Sequence, residues 1–403
     1  MYHDILTMFL YLAIIILTGG DIGLFRTNSL IIKIYFNRVS IDYDYQDKEI
    51  RSMMMKPLII GDLVAKIPII QGGMGVGVSR SRLAGAVARE GGIGIISTAQ
   101  IGYDEPDFNK HQIETNLMAI KKHLKLAKEA AMGGIVGVNI MVATKQFDRY
   151  VKAACEGGAD VIISGAGLPV SLPELVKGFK TKIAPIVSSI KAASVILKMW
   201  DKKFKTTADF IVIEGPRAGG HLGFSKEQLD HLEELDYDTE IKGIIECKKE
   251  FEDKYHRPIP VVIAGGIFDR EDIKHAIELG ADGVQIATRF VVTEECDASQ
   301  EYKNAYLNAK EEDVKIVISP VGMPGRAIMN SFLKSVDGKR IAVTKCFNCL
   351  EHCNPKDTPY CITKALINAV EGNLEEGLIF CGDNVHRLNK MTTVKELLEE
   401  LLV

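Results

Sequence analysis

From Ile67 onward the chain alternates short β-branched runs with longer amphipathic stretches, and few folds accommodate that rhythm. Strands this uniformly apolar are buried on both faces, as in a parallel sheet covered by its own crossover helices. Eight runs can be counted: Ile67–Gln71, Ile93–Ser97, Ile135–Met141, Asp160–Ser164, Ile183–Val187, Phe210–Glu214, Pro260–Ala264 and Gly283–Ala287. Eight parallel strands close into a (β/α)8 barrel of the TIM type, with the helices as an outer ring. An open doubly wound sheet is the competing arrangement. Glycines at Gly91-Gly92, Gly157-Gly158 and Gly280 precede strands, where they let helices end in the left-handed conformation. Those positions are architectural, so chemistry is expected at the opposite, C-terminal strand ends.

The α/β barrel is expected over residues 55–290 and a partly helical C-terminal cap over 291–403, ending in an amphipathic helix at Val394–Leu402. A helix is expected at Gln112–Met132, and the charged stretch Lys226–Lys254 reads as a solvated helical excursion. The first 54 residues form a separate extension. Its apolar run, Thr7–Thr18, is shorter than the roughly 17–25 residues that span a bilayer, and no Lys or Arg precedes it. Met53-Met54-Met55 stands just before the barrel, which makes a native start there an expectation and residues 1–54 non-native; a native mass beginning at Met1 would refute it. A net charge of −4 offers no basic stripe, so no nucleic-acid partner is expected. With eight cysteines and no secretory signal, the expected compartment is the reducing cytoplasm rather than one that builds disulfides.

Two turns, the first glycine-rich, carry the first chemical signal. Ala264-Gly265-Gly266-Ile267 follows the seventh strand, and Gln285-Ile286-Ala287-Thr288 follows the start of the eighth. Loops at these two strand ends commonly bind phosphate in such barrels, because glycine exposes backbone N–H groups to anionic oxygens. A Gly-Gly pair alone is equally a tight turn; a second turn with the Thr288 hydroxyl at the adjacent strand end favours the anion. His221, after Gly219-Gly220 beyond the sixth strand, is the candidate for proton chemistry. As a neutral imidazole it could take a proton α to a nitro group, and as a cation it could hold an anion. Arg217 and Arg289 could bind an anionic substrate or simply pair with carboxylates.

Five motifs in one order then resemble a known family: Pro68–Gly75, Gly137-Val138-Asn139, Glu214–Gly223 (EGPRAGGHLG), Ala264–Ile267 and Gln285–Phe290. Together they resemble the nitronate monooxygenases, a family that includes the enoyl-acyl-carrier-protein reductase II flavoenzymes. The resemblance implies FMN held by Gly73, Met74, Asn139, Glu214, Gly219, Gly265, Gly266, Gln285, Ile286, Ala287 and Thr288, with His221 in the active site. It implies oxidation of alkyl nitronates to carbonyl compounds and nitrite. Glutamate at position 214 resembles the reductases, which keeps NAD(P)H-dependent reduction of an enoyl thioester as the alternative. A non-catalytic flavin-binding redox sensor is a further class, and a homodimer is an assembly this reading leaves open.

The last signal is Cys346-x2-Cys349-x3-Cys353-x7-Cys361. Four closely spaced thiols suit a [4Fe–4S] cluster or a structural zinc, with iron–sulfur ahead. The pattern resembles the cluster segment of FMN barrels of the dienoyl-CoA reductase type, though its spacing differs and ordinary nitronate monooxygenases lack it. The competing reading is four reduced thiols in a cap.

Overall fold

A computed structural model of the chain describes residues 56–402. The expected N-terminal extension and its apolar run Thr7–Thr18 lie outside the described residues. An antiparallel hairpin comes first, β1 (Leu58–Ile60) and β2 (Leu63–Ala65). Its Leu58, Ile60 and Ala65 pack into one cluster with Ile93, Ile135, Val161 and Phe210. Those four lie at or just before the starts of barrel strands, so the hairpin plugs the end of the barrel opposite its mouth.

The ring is built from β3 (Ile69–Gln71), β4 (Ile93–Ser97), β5 (Ile135–Met141), β6 (Val161–Gly165), β7 (Lys182–Val187) and β8 (Ile211–Glu214). After β9 (Gly220–His221), which lies outside it, β10 (Val261–Ala264) and β11 (Gly283–Ile286) complete it. All eight ring strands are parallel, and β11 closes the circle by pairing Val284 with Ile69 and Ile286 with Gln71. This excludes the open sheet. The intervening helices are α1 (Ser81–Arg89), α2 (Gln112–Ala131), α3 (Phe147–Glu156), α4 (Leu172–Leu175), α5 (Ile190–Phe204), α6 (Lys226–Asp230), α7 (Tyr237–Tyr255) and α8 (Arg270–Glu278). The long expected helix is α2, closed by Met132 in the left-handed conformation, and the charged stretch is α6 and α7.

Beyond the ring come α9 (Thr288–Val291), α10 (Gln300–Asn308), a hairpin of β12 (Val314–Ile318) and β13 (Pro324–Ile328), α11 (Ser331–Val336), α12 (Ile362–Glu371) and α13 (Val394–Leu402). The cap is therefore partly helical and partly sheet. The hairpin is not isolated: β13 pairs antiparallel with β9, Gly325 opposite His221. No described helix is long and apolar enough to cross a membrane.

Small residues set how closely the helices approach the ring. A Cβ placed on Gly94 would lie 1.8 Å from the Ala84 carbonyl oxygen of α1, and one on Gly134 would lie 2.0 Å from that of Ala88. Both obstacles are backbone, so no side chain can yield. Gly94→Ala should therefore cost about 3 kcal/mol or more through overpacking. Gly133→Ala, whose Cβ would meet nothing within 4 Å, should cost only about 1 kcal/mol for its φ of +93°. Thermal midpoints of the two variants compare these costs, and equal losses would contradict the packing account.

Candidate active site

Parallel closure sends every ring strand to one mouth, where a cavity of about 730 Å³ opens. The expected phosphate turns meet there because Ala264 pairs with Gln285, setting Gly265-Gly266 beside Ala287-Thr288. Gly265 and Gly266 hold φ of +89° and +94°, which strains any L side chain, and a Cβ on Gly265 would lie 2.7 Å from the Gly215 oxygen. Gly73, Met74, Asn139, Glu214, Gly219, Gln285 and His221 also line this cavity. Ile286 does not. Its side chain is buried in the protein, and its carbonyl accepts from Gly72 N–H at 2.8 Å.

The segment Phe380–Asn384, which the motifs did not reveal, straps across the glycine turns. Gly382 N–H donates to Thr288 Oγ1 at 3.1 Å, and Asn384 Nδ2 donates to the Gly266 carbonyl at 2.8 Å. Asp383 pairs with Arg217 at 2.5 Å and lies 3.4 Å from Arg326 Nε. Buried Arg326 in turn donates to the carbonyl of Pro216 at 2.8 Å. A sequence signal did exist, the turn residues Gly382-Asp383-Asn384 after the apolar run Leu378–Cys381. Both candidate arginines are committed to ion pairs, Arg217 with Asp383 and Arg289 with Glu400 at 2.7 Å. Arg217 still lines the cavity.

His221 is not carried by a barrel strand. The sixth ring strand ends at Glu214, and the histidine follows in β9, held by the cap hairpin. Its Nε2 lies 3.0 Å from Ser319 Oγ, and its ring rests against Phe380 with centroids 5.1 Å apart. Burial without a carboxylate partner lowers its pKa to about 4, so the imidazole is neutral near pH 7. The cationic role is thereby disfavoured in the free protein. In the tautomer whose Nε2–H donates to Ser319, Nδ1 carries the lone pair. Glu214 moves the other way: although it opens onto the cavity, the surrounding protein raises its pKa to about 7. A substantial fraction is then a neutral acid able to donate a hydrogen bond. Tyr237 Oη donates to the Glu214 carbonyl at 2.9 Å, fixing the strand end beneath it.

Of the four clustered cysteines, Cys349 and Cys353 line the cavity. The cap wall also supplies Val321, Met323, Leu350, Ile362, Leu366 and Phe380, which make that side mainly apolar.

The signs of the two shifts oppose. Between pH 6.5 and about 4 the unfolded chain takes a proton at His221 that the folded chain refuses, so this contribution to stability is lost as pH falls through that window. The raised Glu214 pKa gives stability that is present below pH 4.5 and lost as pH rises through about 7. An NMR titration of the ligand-free chain should place the His221 imidazole midpoint near pH 4, the resonance being identified by its loss in His221→Asn. A midpoint near 6.5 would contradict a buried, neutral ring.

Comparison with known proteins adds the lineage. Residues 56–403 match the nitronate monooxygenase family. A Staphylococcus saprophyticus protein named "probable nitronate monooxygenase" is 27% identical over 306 residues, covering 71% of this chain and 82% of its own. Among solved structures, FabK from Thermotoga maritima is 26% identical with a TM-score of 0.63, covering 83% of this chain and 91% of that one. A nitroalkane oxidase from Streptomyces ansochromogenes, 19% identical with a TM-score of 0.63 over 83% of this chain and 94% of its own, shares the fold.

Proposed function

The chain belongs to the nitronate monooxygenase family of oxidoreductases, and on that premise we propose that it binds FMN and oxidises alkyl nitronates to carbonyl compounds and nitrite. The observation that carries this reading is the convergence of the turns after β10 and β11, Asn139, Glu214 and His221 on one cavity. FMN would be held at its phosphate by Gly265, Gly266, Ala287 and Thr288, and elsewhere by Gly73, Met74, Asn139, Glu214, Gly219 and Gln285. The backbone at Gly265 leaves no room for a Cβ, the form expected of a turn that lets an anion approach main-chain N–H groups closely. When bound, the flavin supplies the redox chemistry, with dioxygen as the terminal oxidant.

The protein's own part is binding and proton handling. His221 Nδ1 accepts the proton α to the nitro group when a neutral nitroalkane arrives, and the ring stays beside the resulting anion. That anion raises the pKa of the histidine and so improves it as a base. Ser319 holds Nε2, Phe380 packs against the ring, and the apolar cap wall borders the same cavity. Glu214 in its neutral form would be a hydrogen-bond donor to the cofactor. The cytoplasm is the compartment this chemistry and the reduced thiols fit.

A second reading is favoured by the apolar wall from Val321 to Phe380, which has room for a hydrocarbon chain: NAD(P)H-dependent reduction of an enoyl thioester. Anaerobic mixing separates the two. A nitronate should bleach the yellow protein, whereas NADH and NADPH should leave it oxidised; the reverse outcome selects the reductase. His221→Ala should lower kcat/KM for a neutral nitroalkane by about 10²–10⁴-fold while leaving flavin content unchanged. Unaltered turnover would remove His221 from the mechanism.

A further inference from the structure

The nitronate reading makes no use of the cysteine quartet, yet the fold brings it to the wall of the same cavity. Cys349 and Cys353 line the same cavity as Ile362 and Thr363, which follow Cys361 directly, and Cys346 stands three residues before Cys349. Among the described residues no three of these sulfurs fall within 4.8 Å of each other, whereas thiolates on one tetrahedral zinc stand about 3.8 Å apart, given a Zn–S bond of about 2.3 Å. A cubane cluster spreads its four thiolates farther, one to each iron.

A backbone donor already faces the first of the sulfurs. Asn348 N–H lies 3.4 Å from Cys346 Sγ, with Asn348 in the left-handed conformation that folds this short loop back on its first cysteine. Cys361 sits at the N-terminus of α12. A backbone N–H facing a sulfur stabilises the thiolate and tunes iron–sulfur potentials. The loop is also anchored: Leu350 bridges Thr144, Lys145 N–H donates to the Cys349 carbonyl at 3.1 Å, and Phe347 stacks on Phe108. Thr144 and Lys145 follow the strand that carries Asn139.

We propose that Cys346, Cys349, Cys353 and Cys361 ligate a [4Fe–4S] cluster set in the wall of the flavin cavity. Cys349 and Cys353 face that cavity, while Cys346 is exposed, so the cluster links the flavin site to the protein surface. It is a one-electron centre beside a cofactor that exchanges one or two electrons.

The test uses the full chain purified without air and reconstituted with ferrous iron and sulfide. About four irons and four acid-labile sulfides per chain are expected, with a broad visible absorbance bleached by dithionite and an EPR signal in the reduced state. Cys353→Ser should lose sulfide and signal, and Cys247→Ser, at an isolated thiol, should keep both. Iron without sulfide, stoichiometric zinc, or neither in the folded wild-type chain would overturn the proposal, and this measurement holds even where the Cys353 variant fails to fold. Flavin released by acid from the same sample is counted separately. Flavin without cluster refutes this inference alone, and cluster without flavin refutes the nitronate reading alone.

Discussion

Closure of the parallel ladder is the constraint on which everything else rests. Once β11 pairs with β3, no ring strand has an unpaired edge, and every strand must point its C-terminal end to the same mouth. Residues far apart in sequence, such as Asn139, Glu214 and Gln285, become neighbours without any direct affinity for one another. The same closure demands that helices press on the ring. The bare backbone at Gly94 and Gly134 answers that demand by letting α1 lie against β4 and the start of β5.

The ring alone, however, does not complete the site. His221 belongs to a three-stranded sheet whose other two strands come from the cap, and its hydrogen-bond partner Ser319 and ring partner Phe380 come from the cap as well. The strap at Phe380–Asn384 ties the glycine turns to the same region through Asp383 and the buried Arg326. The barrel supplies the turns after β10 and β11, and the cap supplies the environment that makes a histidine neutral.

Much of this was legible in the sequence where the signal is local. The β-branched runs located all eight ring strands, with β4 and β5 at their full extents, because strands buried on both faces leave few polar interruptions. Glycine pairs marked the turns, since only glycine holds φ near +90° without strain. What escaped was non-local. A two-residue strand such as Gly220–His221 has no periodicity to read, and its pairing with β13 exists only once the barrel has placed the two together. The strap and the position of the cysteine loop on the cavity wall are set by single contacts, Gly382 with Thr288 and Lys145 with Cys349, between distant segments. Ile286, in the same motif as Thr288, lies off the cavity lining, as alternate residues of a strand do.

The central claim is that the turns after β10 and β11 cradle a flavin phosphate while the cap poises a neutral His221 over the reacting end. A crystal structure of the full chain soaked with FMN tests this most directly. The account predicts phosphate density against Gly265, Gly266, Ala287 and Thr288, with the isoalloxazine ring reaching toward Asn139 and the imidazole of His221 facing it. A phosphate bound elsewhere, or a ring turned away from His221, would contradict it.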